Sequence, residues 1–593
     1  MATSRARRAL LAGATALAIA AAAVAQDRPE SLLPPGFSDP SPASGAAPRT
    51  PVPVATGAST TGPSTTGAVP MVQPLPTPAS SPSPSPTASP SPLPTPRYEM
   101  PAFARRSLTR VGASDAFAGD AFGAADGRYL EALMRRLSAP LPSRWLSIAL
   151  RRMLVARVDT PAGVDGADFA AERAWLLLRM GEASGARAVV QAVDTDRVTP
   201  KLRQVWMQAA LATADPAGLC PLADGAGNSE RGWIVARAMC AGLTGNAKAQ
   251  PLIADVRRRR VASGVDLQLA QKVMGAGLNS RQAITIEWAP VTELSAWRFG
   301  LATATGVAIP AELYATVGPQ VVAWRALAPA VPLAERAAPA EAAAAMGVIS
   351  NAALVDLYSA LADADETPAA QARTANALRD AYAASDAGAR ADAMQRLWDE
   401  AETPAARYAR LVLTARAAAR LPVTDGNARA DRLVASMLTA GLDRTAMRWS
   451  GHVKEGGDGW AMLLLADPDA IARLPGGIVG SYAPEGPLAE RKRQLFFAAL
   501  AGLGRLSSSD MEERASALDV RIGAENSWTR AIDRAARERQ AGTVLLLSAV
   551  GMQSGRWSGI PPAALYRVVS SLRAVGLDGE ARMIAAEAIA RVG

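Results

Sequence analysis

Histidine is nearly missing from this chain. His452 stands alone among 593 residues, which removes most triad, proton-shuttle and metal-ligand chemistry. Cysteine occurs twice, at Cys220 and Cys240. Their spacing excludes a CxxC-type redox pair. Lysine is also scarce, confined to Lys201, Lys248, Lys272, Lys454 and Lys492, so the basic charge is almost all arginine. Heavy arginine and alanine use points to a GC-rich bacterial genome. Aromatics make up 5% of the chain, few for a carbohydrate-binding cleft. Beyond the N-terminus no apolar run is long and charge-free enough to span a bilayer. No glycine-rich segment ends in Gly-Lys-Ser/Thr, so a phosphate loop is excluded. The composition points to no cofactor, no metal site and no catalytic residue.

The N-terminus carries an address. Arg5, Arg7 and Arg8 form a basic start, Ala9 to Ala22 an uncharged apolar stretch, and Ala23-Val24-Ala25 a small-residue cleavage site. This is the three-part pattern of a secretory signal peptide over 1–25, cut between Ala25 and Gln26. It predicts a periplasmic or secreted protein of the bacterial cell envelope. An uncleaved signal anchored in the inner membrane is the alternative. Net charge is +9, and removing the three signal arginines leaves +6, modest for this length. Export argues against DNA or RNA as partner.

Residues 26–98 read as a disordered linker. Ser31 to Pro96 holds 19 of the 43 prolines, in runs such as Ser81-Pro82-Ser83-Pro84, with only Asp39 and Arg49 charged. Such a Pro/Ser/Thr-rich segment cannot bury enough apolar surface to offset chain entropy. In polyproline form it reaches at most roughly 200 Å. One apolar island, Leu32-Leu33-Pro34-Pro35-Gly36-Phe37, could dock on a partner or on the body.

From about residue 99 the pattern is all-α. Leu130, Leu133, Met134 and Leu137 recur at helical spacing, as do Leu146, Leu150, Met153 and Leu154. Glycine, proline and aspartate punctuate every 12 to 20 residues. The best strand candidate, Ile284 to Trp288, runs into Ala289-Pro290 and reads as an extended connector. A Gly-x4-Ala spacing follows helices at Gly181/Ala186, Gly242/Ala247, Gly441/Ala446 and Gly576/Ala581. Glycine there ends one helix left-handed, and the small alanine lets the next pack close. Trp145, Trp175, Trp206 and Trp233 fall about one helical hairpin apart, as core residues would.

These residues resemble tetratricopeptide-type repeats (TPR-like proteins) at the level of fold. Gly181 with Ala186, and Gly576 with Ala581, stand as that motif's inter-helix glycine and second-helix alanine. Ala174 and Leu177 take its small and large first-helix positions. The resemblance implies an α-solenoid of stacked helical hairpins. It implies no particular binding residue. The blocks read as 99–288, a Pro/Gly-rich connector or hinge at 289–332, and a second helical block at 333–593.

An even cysteine count in an exported chain predicts a Cys220–Cys240 disulfide. Asp215-Pro216 starts a short helix carrying Cys220, Gly225 to Asn228 turns, and Trp233 to Ala241 returns with Cys240. Arg257, Arg258, Arg259 and Arg260 are the densest charge run and a candidate patch for an anionic glycan or lipid headgroup. At a helix end they also complement the helix dipole. Gly456-Gly457-Asp458-Gly459, beside His452, reads as a flexible inter-helix loop. The local acidic groups Asp363/Asp365/Glu366 and Glu400/Glu402 are sequence neighbours, unlike catalytic carboxylates that converge across a cleft. The expectation is a non-enzymatic helical-repeat scaffold or adaptor that binds another envelope protein. The alternative is an all-helical enzyme or binding protein acting on peptidoglycan or other envelope polysaccharide.

Overall fold

Side-chain caps at the N-termini and left-handed residues at the C-termini set the helix boundaries. Ser143, Asp165, Thr199, Ser350, Thr403 and Ser507 each accept a backbone N–H from the first turn that follows them. Asn526 and Thr529 form a reciprocal capping box. Each cap satisfies an amide that the helix itself leaves unpaired.

The computed structural model describes residues 101–593 except 226–229, 278–283, 425–426, 471–472 and 593. The signal, its Ala25/Gln26 cleavage site and the linker to residue 98 lie outside the described residues. Described residues from 106 on belong to one unit and 101–105 to another. In the latter, Ala102–Ala104 makes one 3-10 turn.

The larger unit is helical almost throughout. Among the described residues the strands are Arg110–Val111 and Val158–Asp159, paired antiparallel. Ile284 to Trp288 is irregular, as its sequence suggests. Helices pack mostly on their chain neighbours: Gly166–Arg179 on Ala183–Val190, Ala369–Ala383 on Ala387–Asp399, Pro404–Ala418 on Ala430–Thr439.

Three of the four glycine turns behave as their spacing predicts. Gly181, Gly441 and Gly576 have φ of +88°, +72° and +81°. Ala186, Ala446 and Ala581 are fully buried. In each turn the residue after glycine donates back five positions, as Glu182 does to the Leu177 carbonyl at 2.8 Å. The fourth turn is shifted. Gly242 lies inside Arg231–Leu243, where an added Cβ would sit 2.7 Å from Met274 Cβ. The left-handed residue is Gly245 and the buried alanine is Ala249, while Ala247 is exposed.

Segment 289–332 contains the helices Ala296–Ala304 and Gln320–Leu327. Their Trp297, Phe299 and Trp324 are fully buried. Of its prolines, Pro310, Pro319 and Pro332 are N-caps, while Pro290 and Pro329 stand in turns.

Contacts also cross the chain. The Arg144–Val155 helix packs on Gly166–Arg179 after it, and on the distant helices Ala541–Gly551 and Asp578–Arg591. Arg144 is 3% exposed. Its guanidinium donates to the carbonyls of Ala344, Ile349 and Thr439. Its backbone N–H donates to Glu587 at 2.8 Å. Four distant stretches of sequence thus meet at one residue. Arg173, fully buried, serves the other end of the same helix by donating to the Leu154, Ala156 and Val111 carbonyls. Burial without a carboxylate partner lowers its pKa to about 10.

Candidate functional site

Three cavities of about 800, 850 and 490 Å³ share Asp431 as a lining residue. The first and second also share Arg432, and the second and third Asn427 and Ala428. Together they form a groove over the helices Ala387–Asp399, Pro404–Ala418 and Ala430–Thr439. The start of Asp458–Ala466, the end of Asp578–Arg591 and the turn Trp557–Gly559 complete the first cavity.

Its floor is aromatic but covered. Trp398, Tyr408 and Trp557 are 4%, 3% and 2% exposed. Trp398 Nε1 donates to Thr414 Oγ1 at 2.9 Å, and Thr414 meets Ser436 at 3.0 Å. The Arg591 guanidinium lies 4.4 Å from the Tyr408 ring centroid. Burial, with the Glu587 carboxylate beside it, pushes the Tyr408 hydroxyl well above the usual phenol range. Tyr408 is therefore neutral at any physiological pH.

The carboxylates of the groove are engaged. Asp399 receives Arg432 and Gln395 at 2.7 Å each, and these bonds hold its pKa below the usual value. Asp458 receives the Tyr482 hydroxyl at 2.7 Å and Lys492 Nζ at 2.5 Å. Asp431 comes from a neighbouring helix to the N-terminus of Asp458–Ala466 and accepts the Gly459 N–H. Burial and the nearby Asp458 raise its pKa, while that amide and Lys454 oppose the rise. An added Cβ on Gly459 would lie 2.3 Å from Asp431 Oδ1, so glycine is what permits the approach.

The groove's uncommitted groups are donors. Arg407 and Arg556 are exposed and have no carboxylate partner among the described residues. Trp557 Nε1 is buried without an acceptor among them. Arg491 fixes the Trp557 turn by donating to the Ser558 and Ile560 carbonyls at 3.1 and 2.8 Å.

Of the residues singled out in the sequence, His452 lines the third cavity and the glycine run borders the groove, while the others fall elsewhere. Cys220 and Cys240 form a disulfide with Cα atoms 5.4 Å apart. Cys220 opens Cys220–Ala223 after the Asp215-capped turn, and Cys240 lies on Arg231–Leu243. Arg257, Arg258, Arg259 and Arg260 are all exposed at the end of Ala249–Arg258, where Asp255 pairs with Arg258 and Arg259. Asp363 pairs with Arg379 at 2.8 Å on the surface, and Glu400 caps the Ala387–Asp399 helix. The glycine loop borders the groove, and it is tied down. Gly456 has φ +75°, its carbonyl accepts from Ala483, and an added Cβ would meet the Ser481 carbonyl at 2.5 Å.

Sequence reading missed the groove itself. Tyr408, Asp431, Asp458 and Trp557 share no motif. The signals near it were the glycine run at 456–459 and aromatic residues in an alanine-rich block, which core packing explains equally well.

Among the described residues no helix is long and apolar enough to cross a membrane. No family model, no curated protein and no solved structure matches this chain.

Proposed function

We propose that this chain is a non-enzymatic, exported helical-repeat adaptor of the bacterial cell envelope. Its hairpins stack as in TPR-like solenoids, and a segment of a partner protein lies in the groove at Asp431. The signal-like start and the Pro/Ser/Thr-rich stretch before the body give it an address and reach. One observation carries the reading. The groove's carboxylates already have donors of their own, whereas its uncommitted groups are hydrogen-bond donors. That arrangement suits holding a ligand more than transferring a proton.

Ala405 lines the groove and is exposed, so a photo-crosslinking residue placed there tests the reading in living cells. The expected result is a discrete envelope protein joined to the full chain. Absence of any protein adduct at Ala405, with expression intact, removes the proposal.

A second reading rests on Asp431, whose carboxyl is raised in pKa beside Asp458 in the same cavity. Two carboxylates facing one cleft are how glycan hydrolysis is arranged. Incubation with purified peptidoglycan, comparing Asp431→Asn with the unchanged protein, decides it. Fragment release lost with that substitution would favour the enzyme.

A further inference from the structure

We propose that the Trp557 end of the groove is an anion-recognition subsite and that the bound partner segment is an extended, acidic peptide. This rests on the groove being the binding site, as proposed above. Trp557 Nε1 is the central observation. A buried N–H donor is seldom left without an acceptor, because the unmade bond costs about 1–3 kcal/mol. Trp557 lines a cavity of about 800 Å³, on a turn that Arg491 holds by two carbonyls. A ligand entering the cavity supplies the missing acceptor, and the turn does not have to reorganise.

Charge selects the ligand. The neighbouring residue Arg556 is exposed and unpaired among the described residues, and so is Arg407 on the same cavity. A planar guanidinium matches a carboxylate through two parallel hydrogen bonds. Indole N–H with two guanidiniums therefore favours carboxylates over neutral groups. The three acids of the cavity do not cancel this, since Asp399 and Asp458 are paired with Arg432 and Lys492, and Asp431 takes the Gly459 amide.

Shape selects a peptide over a sugar chain. A glycan site offers open aromatic faces for sugar rings. Here all three aromatics are covered, the Tyr408 ring by Arg591. A narrow extended chain with acidic side chains fits the connected cavities and uses their donors. A membrane headgroup is a poorer fit, because Trp557 is recessed.

The test uses the purified full chain and three fluorescein-labelled probes: a dodecapeptide of alternating Glu and Ala, the same peptide with Gln for Glu, and an oligogalacturonate. Binding is followed by anisotropy at low and moderate salt. The expected result is saturable binding of the Glu peptide, weakened by salt, with little binding of the other two. Trp557→Phe keeps an aromatic ring, though a smaller one, and removes the donor, and should weaken binding about tenfold. Arg407→Gln/Arg556→Gln should weaken it by about tenfold or more. The charge-matched Arg521→Gln/Arg530→Gln, on exposed residues outside the cavity, should leave it unchanged. Thermal midpoints equal to that of the unchanged protein show that each variant is folded.

Equal loss in the charge-matched variant means a general basic surface and overturns the proposal. So does preference for the oligogalacturonate. Trp557-dependent binding of the Gln peptide overturns the acidic chemistry and leaves the groove as a peptide site. No groove-dependent binding, together with no adduct at Ala405, overturns both this inference and the reading beneath it.

Discussion

The Glu587 carboxylate accepts the backbone N–H of Arg144 at 2.8 Å, across 443 positions of sequence. It also takes the Ser143 hydroxyl at 2.6 Å and the Trp145 N–H at 3.2 Å. A side chain on the last helix thereby caps the Arg144–Val155 helix, where a negative charge also suits the dipole. Arg591 closes the arrangement, donating to Glu587 and to the Pro142 carbonyl at 2.7 Å.

Glu587→Ala takes the acceptor from two amides and from the Ser143 and Tyr408 hydroxyls, and leaves Arg591 only the Pro142 carbonyl. The expected loss is about 3 kcal/mol in a urea titration. Glu587→Gln keeps an acceptor and should cost about 1–2 kcal/mol. An alanine variant as stable as the unchanged protein would show that the contact is incidental.

Glycine is required at Gly181 for two reasons and at Gly576 for one. Both have positive φ, but an added Cβ meets Ala323 Cβ at 2.7 Å only at Gly181. Gly576→Ala should cost about 1 kcal/mol, the left-handed strain alone. Gly181→Ala should cost about 1–3 kcal/mol more, from overpacking. Equal costs in denaturant unfolding would mean that the body yields at that contact.

Helical class, the glycine-ended hairpins and the disulfide pair were legible because each is written within a few turns of chain. Caps, apolar spacing and the Asp215-Pro216 start are local signals. Proline density at 289–332 is ambiguous in sequence, because proline marks helix starts as well as breaks, and the burial of Trp297 and Trp324 is set by packing that sequence does not show. The groove and the Arg144 junction were illegible. They join residues such as Pro142, Asp431 and Arg591 that become neighbours only when distant helices pack. The glycine run at 456–459 pointed to the right neighbourhood for the wrong reason. Its glycines serve close approach to Asp431 and Ser481, where free movement was expected.

Burial holds the Glu182 carboxyl at about 7, up from 4.5, despite Arg151 at 2.9 Å. The folded chain keeps a proton that the unfolded chain releases above 4.5. Stability should therefore be greatest below that pH, fall as pH rises toward about 7, and then level off. Glu182→Gln should flatten this part of the profile. Urea midpoints at several pH values across the window check it, and an unchanged slope in the variant would assign the fall to other groups.

The Cys220–Cys240 bridge closes a loop of sequence separation 20. The chain-entropy argument gives it about 3 kcal/mol. Reductant should lower the thermal midpoint of the region around Arg231–Leu243 by a few degrees, seen as faster amide exchange there. Cys220→Ala/Cys240→Ala should match the reduced protein and be insensitive to reductant.

The position of Glu587 also bears on the order of events when the chain is made. A polypeptide emerging N-terminus first exposes the start of the Arg144–Val155 helix hundreds of residues before its acceptor exists. Until the final helix Asp578–Arg591 arrives, that start has only Ser143 to cap it. A product cut short before residue 587 cannot complete the junction. One cut before Asp578 also uncovers the apolar side of the partner helices, where Met583, Ile584 and Ile589 pack. Asp578–Arg591 thus closes over helices made hundreds of residues earlier, and a chain lacking it should be cut faster by proteases.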